Sequence, residues 1–173
     1  MLIQAILPTF ALSISPLEGD FYLWNMEKQQ IFNRFEEIVR AQGFVLIDLV
    51  MRGDNHLRII EVYIDNEKGI TTVDCANASR MLNEIIESEK LIDSQYRLDV
   101  SSPGVERPLK FFVQYIKHIN RKFEIEFKDA EEIKKLNARL IRIEGEDLFF
   151  TEKNAEYKIS FNNIIKAKVL ISF

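Results

Sequence analysis

Apolar residues recur first at helical and then at strand spacing, and each change of period marks a new element. Ile31, Phe35, Ile38 and Val39 share one face of a 3.6-residue period, which predicts an amphipathic helix over residues 27–42 with Gly43 as its stop. Residues 44–52, rich in β-branched and aromatic side chains, predict a strand. The turn cluster Gly53-Asp54-Asn55 leads into a second strand over 56–65, where Ile60, Val62 and Ile64 point one way, with Arg58 on the same face. So short a turn predicts an antiparallel hairpin. After a turn at 66–69, Thr72 is the expected N-cap of a second helix reaching residue 88, with Asp74 placed favourably for the helix dipole. Cys75, Ala78, Leu82 and Ile85 form its apolar stripe, and Cys75 there reads as a small core residue. A third strand over 96–101 completes an α-β-β-α-β unit, a three-stranded sheet with two helices over one face.

The rear of the chain changes character. A helical turn over 111–119 precedes short strands at 122–127, 138–143, 148–152, 156–161 and 167–171. Turn clusters at Glu144-Gly145-Glu146-Asp147 and Lys153-Asn154 separate three of them. Five short strands predict a small closed β-barrel, and the charged stretch 129–135 reads as an extended solvated loop. The fold class is therefore α+β.

Between the two halves runs Leu98-Asp99-Val100-Ser101-Ser102-Pro103-Gly104-Val105-Glu106-Arg107-Pro108-Leu109-Lys110. Pro103 lacks an N–H and Gly104 tolerates positive φ, so the strand must end there. Pro108 stiffens the segment further. The expected organisation is an N-terminal α/β domain at 26–102, a hinge at 103–110 and a barrel domain at 111–173. Residues 1–25 stand apart. Leu2 to Ile14 is mostly apolar, yet prolines interrupt the stretch and no Lys or Arg precedes it, a poor match to a secretory signal. This segment is expected to be a disordered or non-native extension, with Met26 the natural start.

Charge is uneven along the 173 residues. Residues 26–109 hold 10 Lys+Arg against 15 Asp+Glu, net −5, whereas 110–173 hold 13 against 10, net +3. An acidic front and a mildly basic back suit a protein that meets both a basic protein and RNA; simple solvated surface is the competing explanation. Cys75 is the only cysteine, and with His56 and His118 the only histidines a zinc site is not expected, nor any other metal or cofactor. No run of about 18 apolar residues suggests a membrane span.

Catalytic patterns are missing. There is no Walker A motif, dinucleotide fingerprint, Gly-x-Ser-x-Gly elbow or His-Glu-x-x-His. Glu36/Glu37 and Glu131/Glu132 sit in charged runs and read as solvated surface, and His56 begins a strand beside a turn. The expectation is binding without catalysis.

The segment Ser101-Ser102-Pro103-Gly104-Val105-Glu106-Arg107-Pro108-Leu109 resembles the signature of the RimP family of ribosome maturation factors. Gly43-Phe44, the Arg58-to-Asp65 strand, Gly69-Ile70, Val73-Asp74-Cys75-Ala76 and Asn163-Ile164 follow the family's order, so the resemblance covers 26–173. It implies an SH3-like or Sm-like rear barrel. It also implies a non-enzymatic, cytoplasmic assembly factor that binds the free small (30S) ribosomal subunit and assists late maturation, helping a ribosomal protein near the decoding region join the rRNA. A monomer is expected; an Sm-like RNA-binding regulator, which would form rings, is the alternative. Asp65, Asp74, Asp99 and Glu106 are then candidates for meeting a basic ribosomal protein, and Arg58, Arg97, Arg107 and Lys110 for phosphate contact. Structural pairing is the competing role for each, and for Arg107 a clasp onto Asp99 or Glu106.

Overall fold

The computed structural model describes residues 16–54 and 56–171. Its first helix, α1, spans Pro16–Ala41. Proline suits a first helical position because the N–H it lacks would have no intrahelical acceptor there. The helix thus starts well before residue 27, and residues 16–25, expected to belong to a disordered or non-native extension, are helical; residues 1–15 lie outside the described residues. Ile31, Phe35 and Val39 are buried on the face their spacing predicted.

Strands β1 (Val45–Gly53) and β2 (Leu57–Asp65) form the antiparallel hairpin, and β3 (Gln95–Ser101) lies parallel to β2. The order is β1-β2-β3, with α2 (Thr72–Glu89) crossing over between β2 and β3. Gly53 makes the hairpin possible: its φ is +92°, and a Cβ there would lie 2.1 Å from the Leu57 carbonyl oxygen. The cap of α2 is Thr71, one residue before the expected Thr72. Its hydroxyl accepts from the Asp74 N–H, while the Asp74 carboxylate accepts from the Thr71 N–H. Ala78, Leu82 and Ile86 face the core, with Ile86 rather than Ile85 completing the stripe. Both helices pack on Ile60, Val62 and Ile64, so one face of the sheet is covered by helix.

The rear half opens with one helical turn, α3 (Val113–Ile116), shorter than expected. Five strands follow: β4 (Lys122–Asp129), β5 (Glu132–Glu144), β6 (Asp147–Glu152), β7 (Ala155–Ser160) and, after a 3₁₀ turn at Phe161–Asn163, β8 (Ile164–Leu170). They form one antiparallel sheet in the order β7-β6-β5-β4-β8. β7 and β8 share no ladder, so the sheet is open where a closed barrel was expected. The connector meets the edge strand β8: the Leu109 N–H donates to the Ala167 carbonyl at 2.8 Å, and Leu109 and Tyr115 join the sheet's core. Tyr115 is fully buried, stacked on Phe123 at 5.8 Å between ring centroids. Each such buried aromatic contributes roughly 1.5–3 kcal/mol.

The stretch 129–135 is also not the loop its charges suggested. β4 and β5 run to Asp129 and Glu132, joined by a tight turn in which Ala130 takes φ +54°. Cross-strand ion pairs, Lys135–Glu126 at 2.7 Å and Lys134–Asp129 at 2.5 Å, support the hairpin arms.

Candidate functional site

The polar groups that converge most closely lie where the front sheet meets the connector and α3. Two adjacent buried residues, Leu46 and Ile47, interrupt the alternation of β1. The register shows why: Leu46 pairs with Ile64 and Asp48 with Tyr63, so Ile47 is the extra residue of a bulge. A bulge re-aims the side chain that follows it. Here it sets Asp48 beside Tyr63, and Arg107 closes on both. The Arg107 Nη1 donates to Asp48 Oδ2 at 2.7 Å, and its guanidinium lies 3.7 Å from the Tyr63 ring centroid. The Lys110 ammonium donates to the Ile47 carbonyl at 3.1 Å and stands 3.9 Å from Asp48 Oδ1. Because Arg107 and Asp48 are about one-third exposed, the pair contributes roughly 0.2–1 kcal/mol, with a similar amount from the ring.

A second knot lies deeper. Asp65, at the end of β2, is 1% exposed. It pairs with Lys117, accepts from Gln114 Nε2 at 3.0 Å, and accepts from the Asn66 N–H at 2.9 Å. Gln114 is itself fully buried, and its Oε1 accepts from the N–H groups of Lys110 and Phe111 at 2.8 and 3.0 Å. One glutamine thus ties the connector's backbone to a front-sheet carboxylate. Geometry of this kind is what a buried charge requires.

The sequence-chosen residues divide accordingly. Asp65, Arg107 and Lys110 belong to the junction, and Arg107 clasps neither Asp99 nor Glu106. Arg58 is also interior: its side chain is 11% exposed and donates to Glu27 at 2.7 Å. Asp74 is the reciprocal partner of the α2 cap, and its bonds with Thr71 hold its carboxyl below the usual range. Arg97 and Asp99 pair with each other at 2.7 Å on the open face of the front sheet, both well exposed. Glu106 is 82% exposed and meets Lys168 of β8 at 3.0 Å. Asp48, Tyr63, Gln114 and Lys117 were missed. The sequence holds a cue for the first, the broken alternation at 46–48; none marks Gln114 or Lys117.

The open face of the front sheet carries mixed charge. Glu61 lies opposite Asp99 across the β2–β3 ladder, a like-charged pair offset by Arg52 and Arg97. The hydrogen bond from Arg52 lowers the Glu61 pKa. Cys75 is half-buried, and burial first, Asp74 second, push its thiol pKa up, so it remains a protonated packing residue near neutrality. Among the described residues no three His, Cys, Asp or Glu side chains gather as a metal site, and no helix is long and apolar enough to cross a membrane.

Fold and junction together define the class: a two-sheet α+β protein whose halves are fastened by a bulge-borne clasp and a buried polar knot. Residues 35–106 match the family model of the RimP N-terminal domain. The match begins within α1 and ends one residue before Arg107. Over these residues the chain is similar to the N-terminal domain of the RimP family, a family of ribosome maturation factors.

Proposed function

We propose that this chain binds the free small ribosomal subunit and assists its late maturation without catalysing a reaction. In this reading it helps a ribosomal protein near the decoding region join the rRNA. It acts as a cytoplasmic monomer, with the rear sheet serving as an SH3-like unit left open between β7 and β8. The observation that carries the reading is the junction. Asp65, Gln114 and Lys117 below, with Asp48, Arg107 and Tyr63 above, hold two differently charged surfaces in one orientation. A stiff link that matches the span between two sites gives the second contact its highest effective concentration. Such a molecule needs no energy source, because a ligand shifts a folding population by its differential affinity for the correct state. Arg97, Asp99 and Glu106 remain exposed for contact. Arg107 and Lys110 serve by holding the angle between the surfaces.

Sedimentation of a cell lysate tests this. The protein should travel with free small subunits and be missing from whole ribosomes. Purified protein that fails to bind isolated small subunits at low salt would defeat the proposal.

A further inference from the structure

We infer that the outer face of the rear sheet docks on the paired phosphate backbones of double-stranded RNA without reading its sequence. The inference rests on the functional reading above and names the surface by which the RNA would be held.

The ladder fixes which side chains share that face. Phe123, Ile125, Ala138, Ala167 and Val169 point into the core, so their alternating neighbours point out. β4 then contributes Lys122 and Lys128, β5 contributes Lys135 and Arg139, and β8 contributes Lys166 and Lys168. Against these six cations stand Glu124 and Glu126 on the middle strand, Glu126 pairing with Lys135, and Glu106 of the connector, which pairs with Lys168. Lys122, Lys128 and Lys166 make no ion pair among the described residues. At one corner the face dips into a hollow of about 400 Å³, where Lys122, Arg139 and Lys153 meet Asn137 and Thr151, with Glu152 the one acid in its wall.

The layout selects the ligand. β5 and β8 flank β4, so their basic rows lie roughly 10 Å apart, two strand spacings. Two parallel lines of positive charge, separated by a middle strand whose Glu124 and Glu126 lie between Lys122 and Lys128, suit two separated lines of negative charge. A duplex offers those lines; a compact acidic patch on a protein would meet Glu124 and Glu126 at its centre. The outward positions of β4, β5 and β8 hold no aromatic residue, so bases of a single strand would find no ring to stack on. Lysines dominate, and a flexible point charge follows a backbone without demanding a base.

The experiment uses the full chain and measures anisotropy with two 20-base-pair RNA duplexes of unrelated sequence, between 50 and 200 mM KCl. Lys122→Gln combined with Lys166→Gln should weaken both duplexes equally and lower the slope of log K against log salt by about 2. That corresponds to roughly tenfold per lysine at 0.1 M salt. Lys158→Gln, on β7 and paired with Asp147, should change neither value. An unchanged slope in the double variant, a preference between the duplexes, or tighter binding of polyglutamate than of RNA would each overturn the inference. Co-sedimentation with isolated small subunits separates the two claims. If the unaltered chain and the double variant bind subunits alike, this face is wrong and the functional reading stands. If the unaltered chain fails to bind subunits, the functional reading falls, whatever the duplexes show.

Discussion

Replacing Gln114 by leucine should unfasten the junction while nearly preserving its volume. The glutamine is fully buried and makes three hydrogen bonds, two accepted from the Lys110 and Phe111 N–H groups and one donated to Asp65. Leucine would strand two backbone donors and one carboxylate lone pair. A stranded buried group costs about 1–3 kcal/mol. Asp65 would keep Lys117 and the Asn66 N–H, and Lys110 and Phe111 lie near solvent, so the lower end applies and the sum is about 3 kcal/mol. In a chain of this length 1 kcal/mol moves Tm by roughly 2–4 °C, so thermal melts followed by circular dichroism should show a fall of about 6–12 °C. Gln114→Glu is the informative companion. It keeps both acceptors but sets a second carboxylate against Asp65, and such a pair ionises fully only with difficulty. The raised folded-state pKa makes its stability fullest at low pH and lost as pH rises, whereas the deficit of the leucine variant has no such slope. A leucine variant that melts within about 2 °C of the parent would refute the view of Gln114 as a fastening.

Three further outcomes follow from local geometry. Gly53→Ala should destabilise by at least about 1–3 kcal/mol from its positive φ alone, read by urea denaturation, since the new methyl would also press on the Leu57 carbonyl. Tyr115→Phe should leave Tm unchanged or raise it, because the phenol is buried and its hydroxyl has no partner among the described residues; a fall of several degrees would reveal one. On acidification stability should fall in two stages. Burial and then Lys117 lower the His118 pKa, so its contribution is complete above the unfolded value near 6.5 and is lost as pH drops towards the folded one. Glu61, Glu89, Glu126 and Glu156, held low by Arg52, Arg34, Lys135 and Arg142, lose theirs only below the ordinary carboxylate range. His118→Gln should remove the first stage and leave the second in a pH series of melts.

The front unit was legible because its elements obey local rules. The stripe Ile31-Phe35-Val39 and the alternation Ile60-Val62-Ile64 each state a period and a buried face, and both faces meet in one core. Closure of the rear sheet was not legible. Short alternating strands are common to open and closed sheets, and nothing local marks that Leu109 bonds to Ala167, 58 positions away. The 129–135 hairpin hid behind charge: Lys134 and Lys135 look like solvated loop until Asp129 and Glu126 stand opposite them. The junction was half visible. Its proline-bound segment and Arg107 stood out, but the partners did not, because Asp48, Asp65 and Gln114 become neighbours only after both halves fold. A lone buried glutamine carries no local mark of its role.

The chemistry of the junction bears on what its polar members do in the fold. An apolar seam between two small units would be stabilising but would permit sliding, since dispersion and hydrophobic burial have little direction. Gln114 allows one arrangement: its carbonyl must face the connector's N–H groups and its amide must face Asp65, or buried polar groups are left alone. Removing one partner from such a cluster is costlier than never having built it, so the arrangement enforces a single angle without adding much net stability. Charged residues close to a junction therefore divide into those that set the angle and those that use it. Asp65 at 1% exposure is fastened inside the junction, whereas Glu106 at 82% stands out from it. Substitution of an angle-setting residue should alter affinity for every partner at once, whereas substitution of an exposed one should alter affinity for the partner it touches.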